Sequence, residues 1–206
     1  MNPILKYKLI HPIITLKSKW YKFYNIIMFR FLGVSLGNNS DMRNKIFLRI
    51  FPDASVKIGN NFTVASGDNL NPISSNKITS IAVENKASLA IGNYCGISGS
   101  TIWATTKIQI GNHVNIGANC SIIDGDMHST DWKEREKNDI NPKAVSNYKS
   151  QPIIIGNNVW IGENCIILKG VSIGDRSIIA AGSIVTKNIP ADCVAGGNPC
   201  SFIKKI

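Results

Sequence analysis

The chain has 206 residues, of which 44% are hydrophobic, 17% charged and 8% aromatic, and its net charge is +10. That size suits one to one and a half domains, and that composition excludes a disordered chain, a coiled coil and a collagen. A basic excess admits nucleic acid, a membrane surface or a phosphorylated small molecule as partner, and its distribution narrows the choice.

Residues 1–40 carry Lys6, Lys8, Lys17, Lys19, Lys22 and Arg30 and no Asp or Glu. Within them, Ile13, Leu16, Trp20, Phe23, Tyr24, Ile27 and Phe31 fall at helical spacing, so residues 1–33 are predicted to form a basic amphipathic helical segment. Pro12 is expected to separate a short first piece from this helix. Two roles compete: a cap on the open end of the domain that follows, or a helix lying on an anionic membrane. No apolar run approaches 18 residues without a charge, so no membrane-spanning helix is expected, and the Lys-interrupted start does not read as a signal peptide. The remaining charge is scattered and no DNA- or RNA-binding signature appears, so no nucleic-acid partner is expected.

Residues 34–206 are organised by a six-residue repeat. Ile155, Ile161, Ile167, Ile173, Ile179 and Val185 follow one another without a miss, and six hits in one register have a chance probability of roughly 10⁻³ or less. The register recurs at Ile58 and Val64, at Ile91 and Ile97, and at Ile110, Ile116 and Ile122. Gly follows at 59, 92, 111, 117, 156, 162 and 174. A period of six fits neither a helix nor an alternating strand. It fits a short strand and a tight turn, repeated, with coils that stack because none buries its apolar side alone. Cys95, Cys120 and Cys165 take the small inward position two residues before the aliphatic one, which makes them packing residues. The five cysteines match no zinc spacing and are read as reduced thiols of a cytoplasmic protein, at the inner face of the membrane if the helix binds there.

Two stretches break the repeat. Residues 66–80 are Ser/Asn-rich with Pro72, and no chemistry is assigned to them. Residues 124–152 are polar and hold Asp124, Asp126, His128, Asp131, Trp132, Glu134, Arg135 and Glu136. A long excursion from a rigid solenoid usually carries function. Of three histidines, His11 lies in the basic segment and His113 sits at a turn after Gly111-Asn112. His128 stands at the mouth of the long excursion, in Asp-Gly-Asp-Met-His. Imidazole titrates near neutrality and can take the proton of a weakly acidic hydroxyl as it attacks a carbonyl. Asp126, Asp124 or a backbone carbonyl would orient the ring; alternatively the carboxylates bind acceptor hydroxyls.

The motifs IGNHVNIGANCSIIDGDMH and IGNNVWIGENCIILKGVSIGDRSIIAAGSIVTKNIPADCVAGGNPC resemble those of the hexapeptide-repeat acyltransferases. Within that family the chain looks like the maltose and galactoside O-acetyltransferases and the sugar O-acetyltransferases of capsule and lipopolysaccharide assembly. The likeness spans roughly residues 34–206 and is strongest over 108–206. It implies an all-β fold, a left-handed parallel β-helix, although the general rule for parallel crossovers favours the opposite hand. It implies direct acetyl transfer from acetyl-CoA to a sugar hydroxyl with His128 as base, in a homotrimer with its site between subunits, and with no metal. By the same likeness Trp160, Glu163 and Ala181 would line the pantetheine arm. Thr186 and Lys187 would lie near the pantetheine and phosphates, and Asn198, Pro199 and Lys204 would flank the nucleotide. Ser98 would lie near the acceptor, with Asp124 and Trp132 as further acceptor contacts. The galactoside enzymes have a small residue where Glu163 stands and Arg where Lys204 stands. Other readings are an N-acetyltransferase on a nucleotide-linked amino sugar, a non-catalytic scaffold, and a carbonic anhydrase. The last needs three histidine ligands, and only two histidines fall on the repeat.

Overall fold

The computed structural model describes residues 3–67, 70–74, 76–140 and 148–206, and for residues 3–15, 18 and 138–140 the backbone alone. The side chains of His11 and Ile13 lie outside the described residues. The chain opens with α1 (Pro3–Phe31) and then winds in coils of three strands. The first coil is β1 (Ser35–Leu36), β2 (Asp41–Arg43) and β3 (Phe47–Ile50). The second is β4 (Ser55–Ile58), β5 (Thr63–Ala65) and β6 (Ser80–Val83), and the third is β7 (Ser88–Ile91), β8 (Gly96–Ser98) and β9 (Thr101–Ala104). The fourth is β10 (Lys107–Ile110), β11 (Asn115–Ile116) and β12 (Ser121–Ile123), after which the long excursion carries α2 (Trp132–Ile140). The fifth is β13 (Ile153–Ile155), β14 (Trp160–Ile161) and β15 (Ile166–Ile167), and the sixth β16 (Ser172–Ile173), β17 (Ile178–Ile179) and β18 (Ile184–Val185). β19 (Cys193–Gly196) adds one more strand, and β20 (Ser201–Lys205) folds back antiparallel on it.

Stacking the coils gives three parallel faces. The first runs β1-β4-β7-β10-β13-β16, the second β2-β5-β8-β11-β14-β17-β19-β20, and the third β3-β6-β9-β12-β15-β18. The six-residue register is the reason: each hexad supplies one strand to one face, so every third hexad lies directly above its predecessor. Ile110 pairs with Ile155, Ile116 with Ile161 and Ile122 with Ile167. These ladders are buried, and with Cys95, Cys120 and Cys165 they form one continuous core.

The edge between the first and second faces shows how the turns are held. Asn60 Oδ1 accepts the Asn38 N–H, Asn93 that of Asn60, Asn112 that of Asn93 and Asn157 that of Asn112, each at 2.8–2.9 Å. Asp175 closes the ladder on the Asn157 N–H. The next residue in each turn has positive φ, among them Tyr94, His113 and Asn158. His113 is therefore a turn residue, its ring stacked on Tyr94 with centroids 4.8 Å apart. The glycine before the asparagine lets the coils touch: a Cβ on Gly111 would stand 2.6 Å from the Gly156 carbonyl oxygen, which is backbone and cannot swing aside. Gly111→Ala is expected to cost about 1–3 kcal/mol, the usual penalty of overpacking, and a thermal melt checks it.

α1 departs from two expectations. It runs through Pro12 without a break, because the proline costs one backbone bond and a 29-residue helix retains the rest. It also packs with the opposite face. Phe29 and Asn25 are fully buried against the first coil, and Asn25 Nδ2 donates to the carbonyls of Met42 at 3.2 Å and Asn44 at 2.7 Å. The helix ends cleanly, with Gly33 at φ 77°, the Gly33 N–H on the Arg30 carbonyl and the Val34 N–H on that of Phe29. The cap exists, but the apolar stripe does not make it: Leu16, Trp20, Phe23, Ile27 and Phe31 are all exposed. No described helix is long and apolar enough to cross a membrane.

Candidate active site

The long excursion leaves the edge between the third and first faces through a narrow neck. Asp124 directly follows β12 and is fully buried. Its Oδ1 accepts the Thr105 N–H at 2.6 Å and the Thr105 hydroxyl at 2.8 Å. Its Oδ2 accepts the Thr106 N–H at 2.9 Å, the Thr106 hydroxyl at 3.0 Å and the Lys107 N–H at 2.7 Å. Asp124 is thus not an acceptor-binding residue: both oxygens are saturated by the turn of the coil below. It anchors the neck instead. There the Gln151 N–H donates to the Asp124 carbonyl, the Asp126 N–H to that of Lys149, and Gly125 bridges Ser150.

His128 comes directly after this neck and is exposed. No hydrogen bond to its ring is formed among the described residues. Asp126 does not orient it: the Asp126 carboxylate pairs with Lys169 Nζ at 2.5 Å, because Lys169 follows β15 on the same edge one coil above. Beyond His128, Asp131 caps α2, its Oδ1 accepting the Lys133 N–H at 2.9 Å. Trp132 begins that helix, exposed, with Lys133 Nζ 5.6 Å from its ring centroid. Thr186 and Lys187 follow β18, so they share the edge of His128 and Lys169 within one chain, and both are exposed.

The other predicted residues line the edge between the second and third faces, one per coil. Ser98 ends β8, Glu163 follows β14 and Ala181 follows β17. The Asn198-Pro199 turn is tied above Ala181 by the Ile184 N–H on the Gly197 carbonyl and the Cys200 N–H on that of Ile184. Lys204 is farther along, opposite Val194 on β20. The first excursion folds against this edge as a short 3-10 turn, Pro72–Ser74, held by Asn119 Nδ2 on the Ile73 carbonyl at 3.2 Å. It walls an apolar groove of about 320 Å³, whose lining includes Ile73, Trp160, Gly162, Glu163, Ala180 and Ala181. The stretch 66–80, which sequence reading left without a role, therefore shapes the site. A second hollow of about 490 Å³ lies beside it over the second face, with Ser98, Asn115, Asp41 and Arg43, and shares Trp160.

These residues fit a pantetheine arm. The groove is apolar, and it holds one buried acceptor, Glu163 Oε2, that has no hydrogen-bond partner among the described residues. An amide N–H of the arm would satisfy it, so the larger residue at 163 supplies a contact rather than an obstruction. The cysteines below are not nucleophiles. Cys120 donates to the Gly162 carbonyl and Cys165 to that of Ala180, from full burial. Burial holds the Cys95 thiol above its ordinary range, and the neighbouring Cys165 thiol together with burial does the same for Cys120. Among the described residues no three His, Cys, Asp or Glu gather as a metal would need.

The family model for the hexapeptide repeat of succinyl-transferase matches residues 107–125 and 152–187. A provisionally named acetyltransferase of Staphylococcus aureus (strain COL) is 40% identical over 111 residues, covering 48% of this chain and 56% of the relative. The chain thus spans about half the length of that relative. A galactoside acetyltransferase solved in complex with coenzyme A is similar at 28% identity and TM-score 0.52, over 83% of this chain and 64% of the other. An N-acyltransferase from Bacillus cereus, solved with dTDP and 3-hydroxybutyryl-CoA, shares the fold at 19% identity and TM-score 0.64, over 86% of each chain. The coil is the left-handed one expected from the sequence likeness. The matched hexads are the ones that build the fourth, fifth and sixth coils, so over those coils the chain carries the hexapeptide repeat and resembles the hexapeptide-repeat acyltransferases.

Proposed function

We propose that the chain is an acetyl-CoA-dependent O-acetyltransferase acting on a sugar hydroxyl in surface polysaccharide synthesis, and that it works as a homotrimer. One observation carries this reading: the apolar groove, with a Glu163 oxygen unpaired among the described residues, lies on one edge of the prism, and His128 stands on another. Closed threefold packing of flat-sided prisms brings the His128 edge of one subunit to the groove edge of the next. The exposed ring, which forms no hydrogen bond among the described residues, is then completed by a neighbour. The solved relative, a galactoside acetyltransferase in complex with coenzyme A, supports the acceptor class by its name and the donor class by its bound molecule.

Acetyl-CoA supplies the activated acyl carbon. The chain does the rest. The groove fixes the arm so that the thioester lies at the subunit boundary. His128 accepts the proton of the sugar hydroxyl as its oxygen attacks, and returns it to the departing thiol. Asp124 and the neck hold the histidine backbone at a set height on the prism. The Asp126–Lys169 pair braces that same segment.

The test is release of free thiol from acetyl-CoA with free, lipid-linked and nucleotide-linked sugars, including amino sugars, and light scattering on the same sample. Transfer to a hydroxyl by a trimer is the expected result. Turnover only with an amino sugar moves the assignment to N-acetylation. Absence of acetyl-CoA binding in calorimetry makes the chain a scaffold, and an active monomer removes the shared site.

A further inference from the structure

We infer that α1 is a two-faced helix that seals the first coil with one side and lies on an anionic phospholipid surface with the other. The inference is independent of the acyl-transfer reading. At about 100° per residue, Leu16, Trp20, Phe23, Ile27 and Phe31 fall within about 80° of arc. In the fold they are 71%, 62%, 60%, 48% and 81% exposed. A stripe this regular would ordinarily be the buried face of a helix. Here burial is taken by Asn25 and Phe29 on the opposite side, where Asn25 is spent on two backbone carbonyls of the first coil. The apolar side is consequently presented outward by a helix that the protein itself holds in place.

The charges around the stripe specify the occupant. Lys19 and Arg30 flank one side of it and Lys17 the other, all exposed, while Lys22 is drawn to Asp41 at 3.7 Å. No Asp or Glu occurs in residues 1–40. An aromatic and aliphatic stripe bordered on both sides by cations is the pattern of an interfacial helix: the rings enter the acyl boundary and the cations meet lipid phosphates. A second copy of this chain would bring the same cations against themselves, since a twofold contact pairs a patch with itself. Because α1 is fixed on the first coil, the bilayer would lie at that end of the prism.

The test is sedimentation of the full chain with vesicles of phosphatidylglycerol and phosphatidylcholine in equal parts, and with phosphatidylcholine alone. Binding to the anionic vesicles at low salt, falling as salt rises, is expected. The double variant Trp20→Glu, Phe23→Glu should abolish it. Replacing Lys17, Lys19 and Arg30 by Gln should weaken it by roughly 10²-fold, about fivefold per charge. Both variants should melt with the wild type, because none of these side chains is buried. If the full chain stays in the supernatant at low salt, or the double variant still sediments, the inference fails. It fails also if light scattering shows that the double variant instead breaks an oligomer, which would make a second copy the occupant.

Discussion

Replacing His128 by alanine should lower acetyl transfer by about 10²–10⁴-fold, the usual loss for a general base, or roughly 3–5 kcal/mol in the barrier. The proposed trimer and the affinity for acetyl-CoA should survive, since the ring is exposed and takes no part in a ladder. Asp126→Asn should cost less, because Asp126 braces the segment through Lys169 and does not touch the ring. His113→Ala should leave transfer intact, since that histidine is a turn residue stacked on Tyr94. Thiol release from acetyl-CoA measures all three. Near-normal turnover by the His128 variant would remove the base from the mechanism.

Asp124→Ala should be the most destabilising single change in the excursion. Three backbone N–H groups, those of Thr105, Thr106 and Lys107, lose their acceptor together, as do two hydroxyls. Leaving a buried donor unpaired costs about 1–3 kcal/mol each. Thr106 and Lys107 are exposed and recover part of this through water, so a net loss of about 2–4 kcal/mol is expected. For a chain of this size that lowers Tm by about 5–15 °C. Transfer should fall as well, although Asp124 touches no substrate, because the neck no longer fixes the height of His128. Asp124→Asn keeps one acceptor oxygen and should fall between. A melt within about 2 °C of wild type would show that the neck does not depend on this carboxylate.

The candidate site was partly legible. His128 stood out because it is a lone imidazole at the point where a rigid repeat is interrupted. Trp160, Glu163 and Ala181 were singled out only by the family likeness, and in the structure all three line one groove. Asp124 and Asp126 were not distinguishable in Asp-Gly-Asp. Which of the two is consumed by the scaffold depends on the turn one coil below, and the paired hydroxyls of Thr105-Thr106 were the available signal. The excursion 66–80 could not be read at all, since a Ser/Asn-rich stretch has the same composition whether it hangs free or walls a groove.

What the sequence determined by itself is the coil. A six-residue period can bury its aliphatic positions only by stacking strand on strand, so the ladders, the glycine approaches and the inward cysteines are local consequences repeated along the chain. Tertiary structure decided whatever depends on residues far apart meeting. The stripe on α1 declares an apolar face but not its direction. Asn25 bonding two backbone carbonyls of the first coil, with Phe29 beside it, turned that stripe outward. The same holds for the site: the order of hexads places each residue on its edge, but whether an edge becomes a groove depends on an excursion folding against it from coils away.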